Sequence, residues 1–268
     1  MKTRAIRTGI IGCGNIGGQV ALFLRHNPYF KVTTLTDVSL SQATALRKKF
    51  RGARPEIVSL EEALKRNDLV IESACPAVVI EILRSKNLDK RKKKILFMSS
   101  GGLIHSLNRI SKLKNAEVFI PSGALAGLDA IKAIAGEIES LQLVTTKPAH
   151  SLAAAPFVVK NKKNLESMKA AQVIFDGGLS DAVKGFPVNI NVAASLFLAS
   201  RFKKLRIKIV ADPEAKFNTH EITCSGKFGV ITTKTQNLPS RNPKTSQLAI
   251  SSALSVLQGM TEKIRIGN

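Results

Sequence analysis

Gly12-Cys13-Gly14-Asn15-Ile16-Gly17 is the stretch of sequence that decides the fold. It follows the apolar run Arg7–Ile11, which predicts a buried strand. It precedes Gly18–Arg25, whose apolar spacing is that of a helix. A Gly-x-Gly-x-x-Gly turn between a strand and a helix is typical of dinucleotide-binding domains. The motif alone would also suit a glycine-rich turn in some other α/β domain.

Each glycine has a separate physical role in such a turn. Gly12 allows the tight turn, Gly14 lets a pyrophosphate approach the backbone, and Gly17 lets the helix pack close to the strand. The helix N-terminus offers N–H groups and the positive end of its dipole to phosphates. We therefore expect the cofactor to contact Gly12, Gly14, Asn15, Ile16 and Gly17.

A carboxylate ends the second predicted strand, Lys31–Asp37. Asp37 is placed to accept hydrogen bonds from the adenosine ribose hydroxyls. Its charge would repel a 2′-phosphate, and Val38-Ser39-Leu40 supply no arginine to offset that repulsion. NAD is therefore the favoured cofactor, although Arg47 and Lys48 leave NADP open.

Strands and helices alternate over the first 120 or so residues, which predicts a Rossmann-type, doubly wound parallel sheet. The further elements are strands at Asp68–Ser73, Lys94–Ser99 and Ala116–Ile120 and helices at Pro76–Arg84 and Leu103–Leu113. Ligands bind outside the carboxyl ends of such strands. We expect Ala74, Cys75 and Ser99 to contact the cofactor there, and Ser122 to contact the substrate.

The pattern changes after residue 124. Helical segments are mixed with period-two alternation, which predicts an α+β domain with a mostly antiparallel sheet. The helices are predicted at Leu128–Gly136, Asn164–Phe175 and Asn189–Phe202, and the strands at Arg206–Ala211, Thr219–Cys224 and Gly229–Thr235.

A last helix, with Asn242 as N-cap and Pro243 in its first turn, has one buried stripe: Ile250, Ala253, Leu254 and Leu257. We expect this helix to return to the first domain. The predicted domains are therefore residues 1–123 for dinucleotide binding, 124–240 for catalysis and dimerisation, and 241–268 for the returning helix.

The chain has 268 residues, with 41 Lys and Arg against 19 Asp and Glu, for a net charge of +22. The positive charges are dispersed, and one Tyr and no Trp make a stacking platform for nucleic acid unlikely. We expect no nucleic-acid partner and no membrane segment.

Cys13, Cys75 and Cys224 are an odd number without metal-ligand spacing, and Met1–Arg4 leads straight into the first strand. These features favour a cytoplasmic protein with reduced thiols and no metal.

Several short signatures in the second half resemble the L-aspartate dehydrogenase family, in both order and spacing. They are Ile120–Ile131, Phe186–Ala194, Asn218–Ile222 and Asn237–Ser246. With the glycine turn, the resemblance covers nearly the whole chain. The chain departs from the family pattern at Lys147–His150, where members carry a longer basic-proline segment, and this leaves the role of Lys147 open.

The resemblance implies NAD(P)-dependent oxidation of L-aspartate to iminoaspartate, or in reverse the reductive amination of oxaloacetate with ammonia, feeding NAD biosynthesis. It also implies a homodimer. By the same resemblance Ala124 and Asn189 contact the cofactor, and His220 is the catalytic histidine.

Two alternative functions stay open. One is a related Rossmann oxidoreductase on another small acid, similar to homoserine dehydrogenase or dihydrodipicolinate reductase. The other is a non-enzymatic nucleotide- or nucleic-acid-binding protein.

The chemistry of amine oxidation agrees with a histidine, because the amine must lose a proton before the α-carbon can lose hydride. On pattern alone, His220 could equally be a core histidine bonded to the backbone. Asn189 could likewise be only a helix N-cap, and Lys244 only a surface lysine. An aspartate substrate carries two carboxylates, which need donors around them. The candidate donors are Asn191, Lys244 and Thr245.

Overall fold

A computed structural model describes residues 4–187, 190–238 and 246–264. Its contacts divide the chain into two compact units, residues 1–121 with 250–265 and residues 122–249 with 266–268. We refer to them as the first and the second unit. The roles assigned above to residues 1–123, 124–240 and 241–268 stay predictions.

The first unit is built on six strands: β1 Ile6–Ile11, β2 Phe30–Thr36, β3 Glu56–Ile57, β4 Leu69–Glu72, β5 Lys93–Phe97 and β6 Ala116–Phe119. Its first five helices are α1 Asn15–Arg25, α2 Leu40–Lys48, α3 Leu60–Arg66, α4 Pro76–Arg84 and α5 Leu107–Ile110. All strand pairs are parallel, and their order is β3-β2-β1-β4-β5-β6. This order is that of the Rossmann fold, so the predicted fold of this unit is confirmed.

The second unit holds a five-stranded sheet formed by β7 Ile138–Pro148, β8 Gln172–Gly178, β9 Arg206–Asp212, β10 Asn218–Gly226 and β11 Gly229–Asn237. Its helices are α6 Leu128–Ala133, α7 Pro156–Lys160, α8 Leu179–Gly185 and α9 Asn191–Ser200. The order is β11-β10-β7-β9-β8, and only the β7–β9 pair is parallel. The predicted α+β architecture with a mostly antiparallel sheet is therefore confirmed.

Two helices were predicted wrongly. The segment Asn164–Phe175 is not a helix: its last residues belong to β8, where Phe175 pairs with Ile209 of β9. The Phe175 ring also packs on the rings of Phe157 and Phe186, with centroids 5.3 and 5.5 Å apart. Pairing and aromatic packing between distant residues override the local helical spacing here.

The predicted helix Leu103–Leu113 is likewise broken into a 3-10 turn at Ser100–Leu103 and the short α5. Between them the Ser106 hydroxyl donates to the Gly102 carbonyl at 3.4 Å. A serine hydroxyl bonded to a nearby carbonyl competes with the regular hydrogen-bond ladder of a helix.

The C-terminal helix α10 spans Gln247–Gly259 and returns to the core of the first unit, as predicted. Its Ala253 and Leu257 share that core with Ile10 of β1 and with Val20 and Leu24 of α1. The predicted cap at Asn242 and Pro243 lies outside the described residues. In the described part, the Ser246 hydroxyl accepts from the Leu248 N–H at 3.1 Å. None of the helices among the described residues is long and apolar enough to cross a bilayer.

Truncation of the Leu257 side chain should test whether α10 packs in the core of the first unit. Leu257 is fully buried, so we expect Leu257→Ala to lower the free energy of unfolding by about 2–5 kcal/mol, through lost burial and the cavity left behind. The matched control is Leu248→Ala in the same helix, at a side chain 40% exposed, with an expected cost below about 1 kcal/mol. Urea unfolding of both variants measures the difference. Equal losses would contradict the packing described here.

Candidate functional site

The glycine turn of the first unit is packed so closely that two of its glycines have no room for a side chain. Gly12 has a φ of +90°, and a Cβ there would lie 2.7 Å from the Ala74 nitrogen. A Cβ on Gly17 would lie 1.9 Å from the Gly12 carbonyl oxygen. At Gly14 the nearest atom, Gln42 Oε1, would be 3.7 Å away. Gly12 and Gly17 therefore serve packing, whereas Gly14 leaves open space at the N-terminus of α1.

Asp37 follows β2, and its carboxylate is fixed by backbone donors. It accepts from the Cys13 N–H at 2.6 Å and from the Ser39 N–H at 2.8 Å. The side chain of Cys13 is buried beside it, and burial together with the charge of Asp37 raises the pKa of this thiol to about 12. Cys13 thus stays a neutral thiol that fills space in the turn, and Asp37 is held against the glycine loop.

A cavity of about 460 Å³ lies at the carboxyl ends of β1, β2 and β4. Its wall includes five of the residues predicted to bind a cofactor: Gly12, Gly14, Asp37, Ala74 and Cys75. The other described wall residues are Ile11, Thr36, Val38, Gln42, Leu60, Ser73, Val78 and Glu81. A cavity of this size, open over a helix N-terminus and flanked by a fixed carboxylate, fits an adenine dinucleotide.

The charge of the cavity wall bears on whether the nucleotide carries a 2′-phosphate, as NADP does, or lacks it, as NAD does. No lysine or arginine occurs among the described wall residues, whereas Asp37 and Glu81 do. Such a wall has no cation to hold a 2′-phosphate, and its negative charge would repel one. Arg47, which left NADP open in the sequence, donates instead to the Pro55 carbonyl at 3.1 Å.

Four further predicted residues of the first unit lie outside that wall: Asn15, Ile16, Ser99 and Gly17, whose close packing is described above. Asn15 and Ile16 occupy the first turn of α1, where the Asn15 side chain accepts from Gln19 at 3.1 Å. Ser99 is buried after β5, and its hydroxyl donates to Glu72 at 2.8 Å. Glu72, the last residue of β4, is not among the predicted site residues, because nothing in the local sequence pattern shows that it is buried.

The second unit carries the predicted catalytic histidine on the buried face of its sheet. His220 of β10 lies opposite Thr145 of β7, and 3.1 Å separates His220 Nδ1 from the Thr145 hydroxyl oxygen. Only 4% of His220 is exposed. Burial, with a smaller contribution from the charge of Lys147, lowers the pKa of His220 to about 3. The imidazole is therefore neutral at physiological pH, in the form that can accept a proton.

Lys147 lies on the same face of the sheet, two residues beyond Thr145 on β7. It lines a narrow cavity with Thr145, Leu143 and Leu152, and burial lowers its pKa to about 8. The sequence pattern leaves the role of Lys147 open, and no strand is predicted for this segment. The signal was present: Leu141, Leu143 and Thr145 alternate with less buried residues, as expected of a strand with one buried face.

The remaining described candidates of the second unit are held by other contacts. The Ala124 carbonyl accepts from the Thr235 hydroxyl at 2.8 Å and from the Asn237 amide at 3.2 Å. The Ser122 carbonyl accepts from the Leu125 N–H at 3.3 Å. Asn191 is the exposed first residue of α9. Asn189, Lys244 and Thr245 lie outside the described residues, so their assignments stay predictions.

Comparison with known protein families gives two matches along the chain. Residues 129–260 match the family described as aspartate dehydrogenase, C-terminal. Residues 7–100 match the family described as NADP oxidoreductase, coenzyme F420-dependent. The second match covers the glycine turn and the first five strands, and it agrees with a pyridine-nucleotide-binding fold.

Individual proteins of known name or structure are similar over almost the whole chain. Proteins named L-aspartate dehydrogenase from Methanosarcina mazei and Nitrosopumilus maritimus are 38% and 36% identical. The alignments cover 98% and 97% of this chain, and 99% of each relative. The crystal structure of aspartate dehydrogenase from Thermotoga maritima superposes with a TM-score of 0.76 at 29% identity, covering 98% of this chain and 100% of that one.

A putative myo-inositol dehydrogenase from Sinorhizobium meliloti has a TM-score of 0.52 at 11% identity, which shows a shared fold only. The identity and coverage of the named relatives go well beyond a shared fold. Together with the glycine turn, the cavity and the buried histidine, they show that this chain belongs to the aspartate dehydrogenase family.

Proposed function

We propose that this protein is an NAD-dependent L-aspartate dehydrogenase, which oxidises L-aspartate to iminoaspartate and, in reverse, aminates oxaloacetate with ammonia. The observation that carries the proposal is His220. His220 stands at the position expected for the catalytic histidine of the family. Its imidazole is buried, neutral and bonded to Thr145. The near full-length similarity to proteins of that name supports the choice of substrate.

The first unit would hold the nucleotide. Gly12, Gly14 and the N-terminus of α1 surround the pyrophosphate, and Asp37 binds the adenosine ribose. The absence of basic residues from the described cavity wall supports NAD over NADP. When bound, the nicotinamide supplies a hydride acceptor for the α-carbon of the substrate.

The second unit would supply the proton acceptor. Aspartate must lose a proton from its ammonium group before hydride can leave the α-carbon, and His220 takes that proton. Burial and Lys147 keep His220 neutral in the free protein. The two carboxylates of a bound substrate bring negative charge to Lys147 and His220, which raises the pKa of His220 so that it can hold the proton it accepts. In the reverse direction the same group returns the proton.

Four further assignments belong to the proposal. The first is direct contact of Ala124 and Asn189 with the nucleotide, and the second is binding of the substrate by Ser122, Asn191, Lys244 and Thr245. The third is a homodimer. The fourth is a cytoplasmic location, with the product entering NAD biosynthesis. The three cysteines are free thiols, which agrees with that location.

The primary test is an absorbance assay at the band of reduced nicotinamide. The protein is mixed with NAD and L-aspartate at alkaline pH, with homoserine, glutamate and malate in parallel wells. We expect absorbance to rise with L-aspartate alone. A rise with another acid and none with aspartate would refute the substrate, whereas no rise in any well would refute the dehydrogenase.

Replacement of the histidine should separate catalysis from nucleotide binding. We expect His220→Ala to lower kcat by about 10²–10⁴-fold, because the ammonium proton loses its acceptor. NAD affinity, measured by calorimetry, should change little. His150→Ala, at an exposed histidine of the same unit, is the control and should retain wild-type kcat. Wild-type turnover in His220→Ala would remove His220 from the mechanism.

Replacement of the ribose carboxylate should change cofactor preference. We expect Asp37→Ala to weaken NAD by about tenfold or more, through loss of charge-assisted hydrogen bonds, and to weaken NADP less, because a repulsive charge is also removed. Dissociation constants for both nucleotides measure the effect. Asp37→Asn keeps one acceptor oxygen for the glycine loop and serves as the control for loop distortion. Equal losses for NAD and NADP in both variants would contradict the assignment.

The neutral state of His220 should also be visible in acid stability. The unfolded histidine titrates near pH 6.5 and the folded one near 3, so between these values only the unfolded chain binds the proton. The free energy of unfolding should therefore fall as pH drops from 7 to 4, with His220 contributing up to about 1.4 kcal/mol per pH unit. Urea titrations of His220→Gln should show a shallower decline than wild type, and exposed His26→Gln the wild-type decline. The same slope in all three proteins would mean that His220 is not buried in its neutral form.

A further inference from the structure

A buried carboxylate that the proposed reaction does not use lies at the end of β4. Glu72 is fully buried, and no lysine or arginine of the described residues forms an ion pair with it. A carboxylate away from water and without a cation needs hydrogen-bond donors in place of both. The donors around Glu72 therefore show what this group holds in place.

The carboxylate accepts hydrogen bonds from the loops that follow two neighbouring strands. Oε1 accepts from the Ala74 N–H at 2.7 Å and from the Ser99 hydroxyl at 2.8 Å. Oε2 accepts from the Ser99 N–H at 3.1 Å, and the Cys75 N–H also bonds to the carboxylate. Three of the four donors are backbone N–H groups, so this one side chain fixes the path of residues 73–75 after β4 and of residue 99 after β5.

The same loop is tied to the glycine turn on its other side. The Ser73 hydroxyl donates to the Gly12 carbonyl at 2.9 Å, and the Ser73 N–H donates to the Ile11 carbonyl at 2.8 Å. Ala74 and Cys75 in turn form part of the wall of the 460 Å³ cavity. The strand-end loops after β1, β4 and β5 are thus joined in series through Ser73 and Glu72.

We propose that Glu72 is a positioning residue for the nucleotide, which fixes the loop after β4 in the wall of the cavity and ties it to the loop after β5. The proposal rests on the proposed function, since it assumes that NAD occupies this cavity. A dinucleotide bound across the carboxyl ends of the strands places its adenosine half over β2 and its other half beyond β1, toward β4 and β5. Glu72 acts on that second half through Ala74, Cys75 and Ser99.

The backbone N–H groups of Ala74 and Ser99 each require an acceptor atom on the side chain of residue 72. Glutamine has nearly the same shape but replaces one oxygen with an NH₂ group. Placed at the Oε1 position, that NH₂ would face the Ala74 N–H. Placed at the Oε2 position, it would face the Ser99 N–H. In either orientation a buried backbone donor loses its partner, and the loop must move to satisfy it.

The test compares two nucleotides in one variant. ADP supplies only the adenosine half, which is expected over β2 beside Asp37, whereas NAD also supplies the half expected beyond β1, toward β4 and β5. For Glu72→Gln we expect the NAD dissociation constant, measured by calorimetry, to rise at least about tenfold, and that for ADP to stay within about threefold of wild type. The matched control is Glu117→Gln, at an exposed residue of β6, which should bind both nucleotides as wild type does.

Glu72→Asp is the second variant and keeps the protein testable if the glutamine variant does not fold. Aspartate only accepts hydrogen bonds and can still reach the N–H two residues along, at Ala74, but it is too short to reach Ser99. We expect it to bind NAD more weakly than wild type, with ADP binding retained, and to bind NAD more tightly than Glu72→Gln where both fold.

The outcomes are distinct. Selective loss of NAD affinity supports the positioning role. Unchanged NAD affinity in the folded variants, or equal loss of NAD and ADP, overturns it, the latter because Glu72 would then only stabilise the unit. Failure of the wild-type protein to bind either nucleotide would instead refute the cofactor part of the proposed function.

Discussion

The close contact between the glycine turn and the end of β4 is the constraint on which the first unit depends. Gly17 lies so near the Gly12 carbonyl that a single methyl group would come within 1.9 Å of its oxygen. Gly12 is in turn pressed against the backbone of Ala74. This contact brings the N-terminus of α1, the carboxylate of Asp37 and the loop after β4 to one cavity. The part of the wall that the glycine turn and the loop after β4 form therefore consists of backbone and small side chains, which is what a pyrophosphate needs in order to approach N–H groups closely.

The buried ionisable groups of the two units differ in the hydrogen-bond partners that surround them. Glu72 stays bonded because four donors converge on its two oxygens. His220 meets one hydroxyl and a nearby cation, and burial favours its neutral form. For Glu72, burial raises the pKa of the carboxyl while the hydrogen bonds from these donors oppose that rise, and the group serves as a fixed anchor. For His220, burial leaves the imidazole neutral, and the group is able to take up a proton when negative charge arrives.

The parts of the structure that local sequence determines were predictable, and those that depend on distant pairing were not. The first strand, the glycine turn, the helix and the acid that ends the second strand follow each other within 40 residues. Their spacing alone therefore predicts that Gly12, Gly14 and Asp37 lie together at one nucleotide-binding site. Strand β7 was missed, although its alternation is clear in hindsight, and Val173–Phe175 was assigned to a helix because its partners on β9 lie more than 30 residues away. Glu72 looks like a surface charge in sequence, since nothing local reveals its burial, whereas Lys147 continues the alternation of Leu141, Leu143 and Thr145. Family resemblance was needed to favour His220 over a core histidine, because a buried histidine on a strand serves both roles equally well.

The return of α10 to the first unit means that this unit is discontinuous along the chain. During synthesis the ribosome completes β1 to β6, then residues 122–249 of the second unit, and only afterwards the part of the last helix that carries Ala253 and Leu257. Until that helix leaves the exit tunnel, the apolar surface around Ile10, Val20 and Leu24 lacks its cover. The second unit has all of its strands available earlier, so it can reach its native core first. The first unit is thus begun first and completed last, and its incomplete sheet exposes apolar surface of the kind that promotes aggregation.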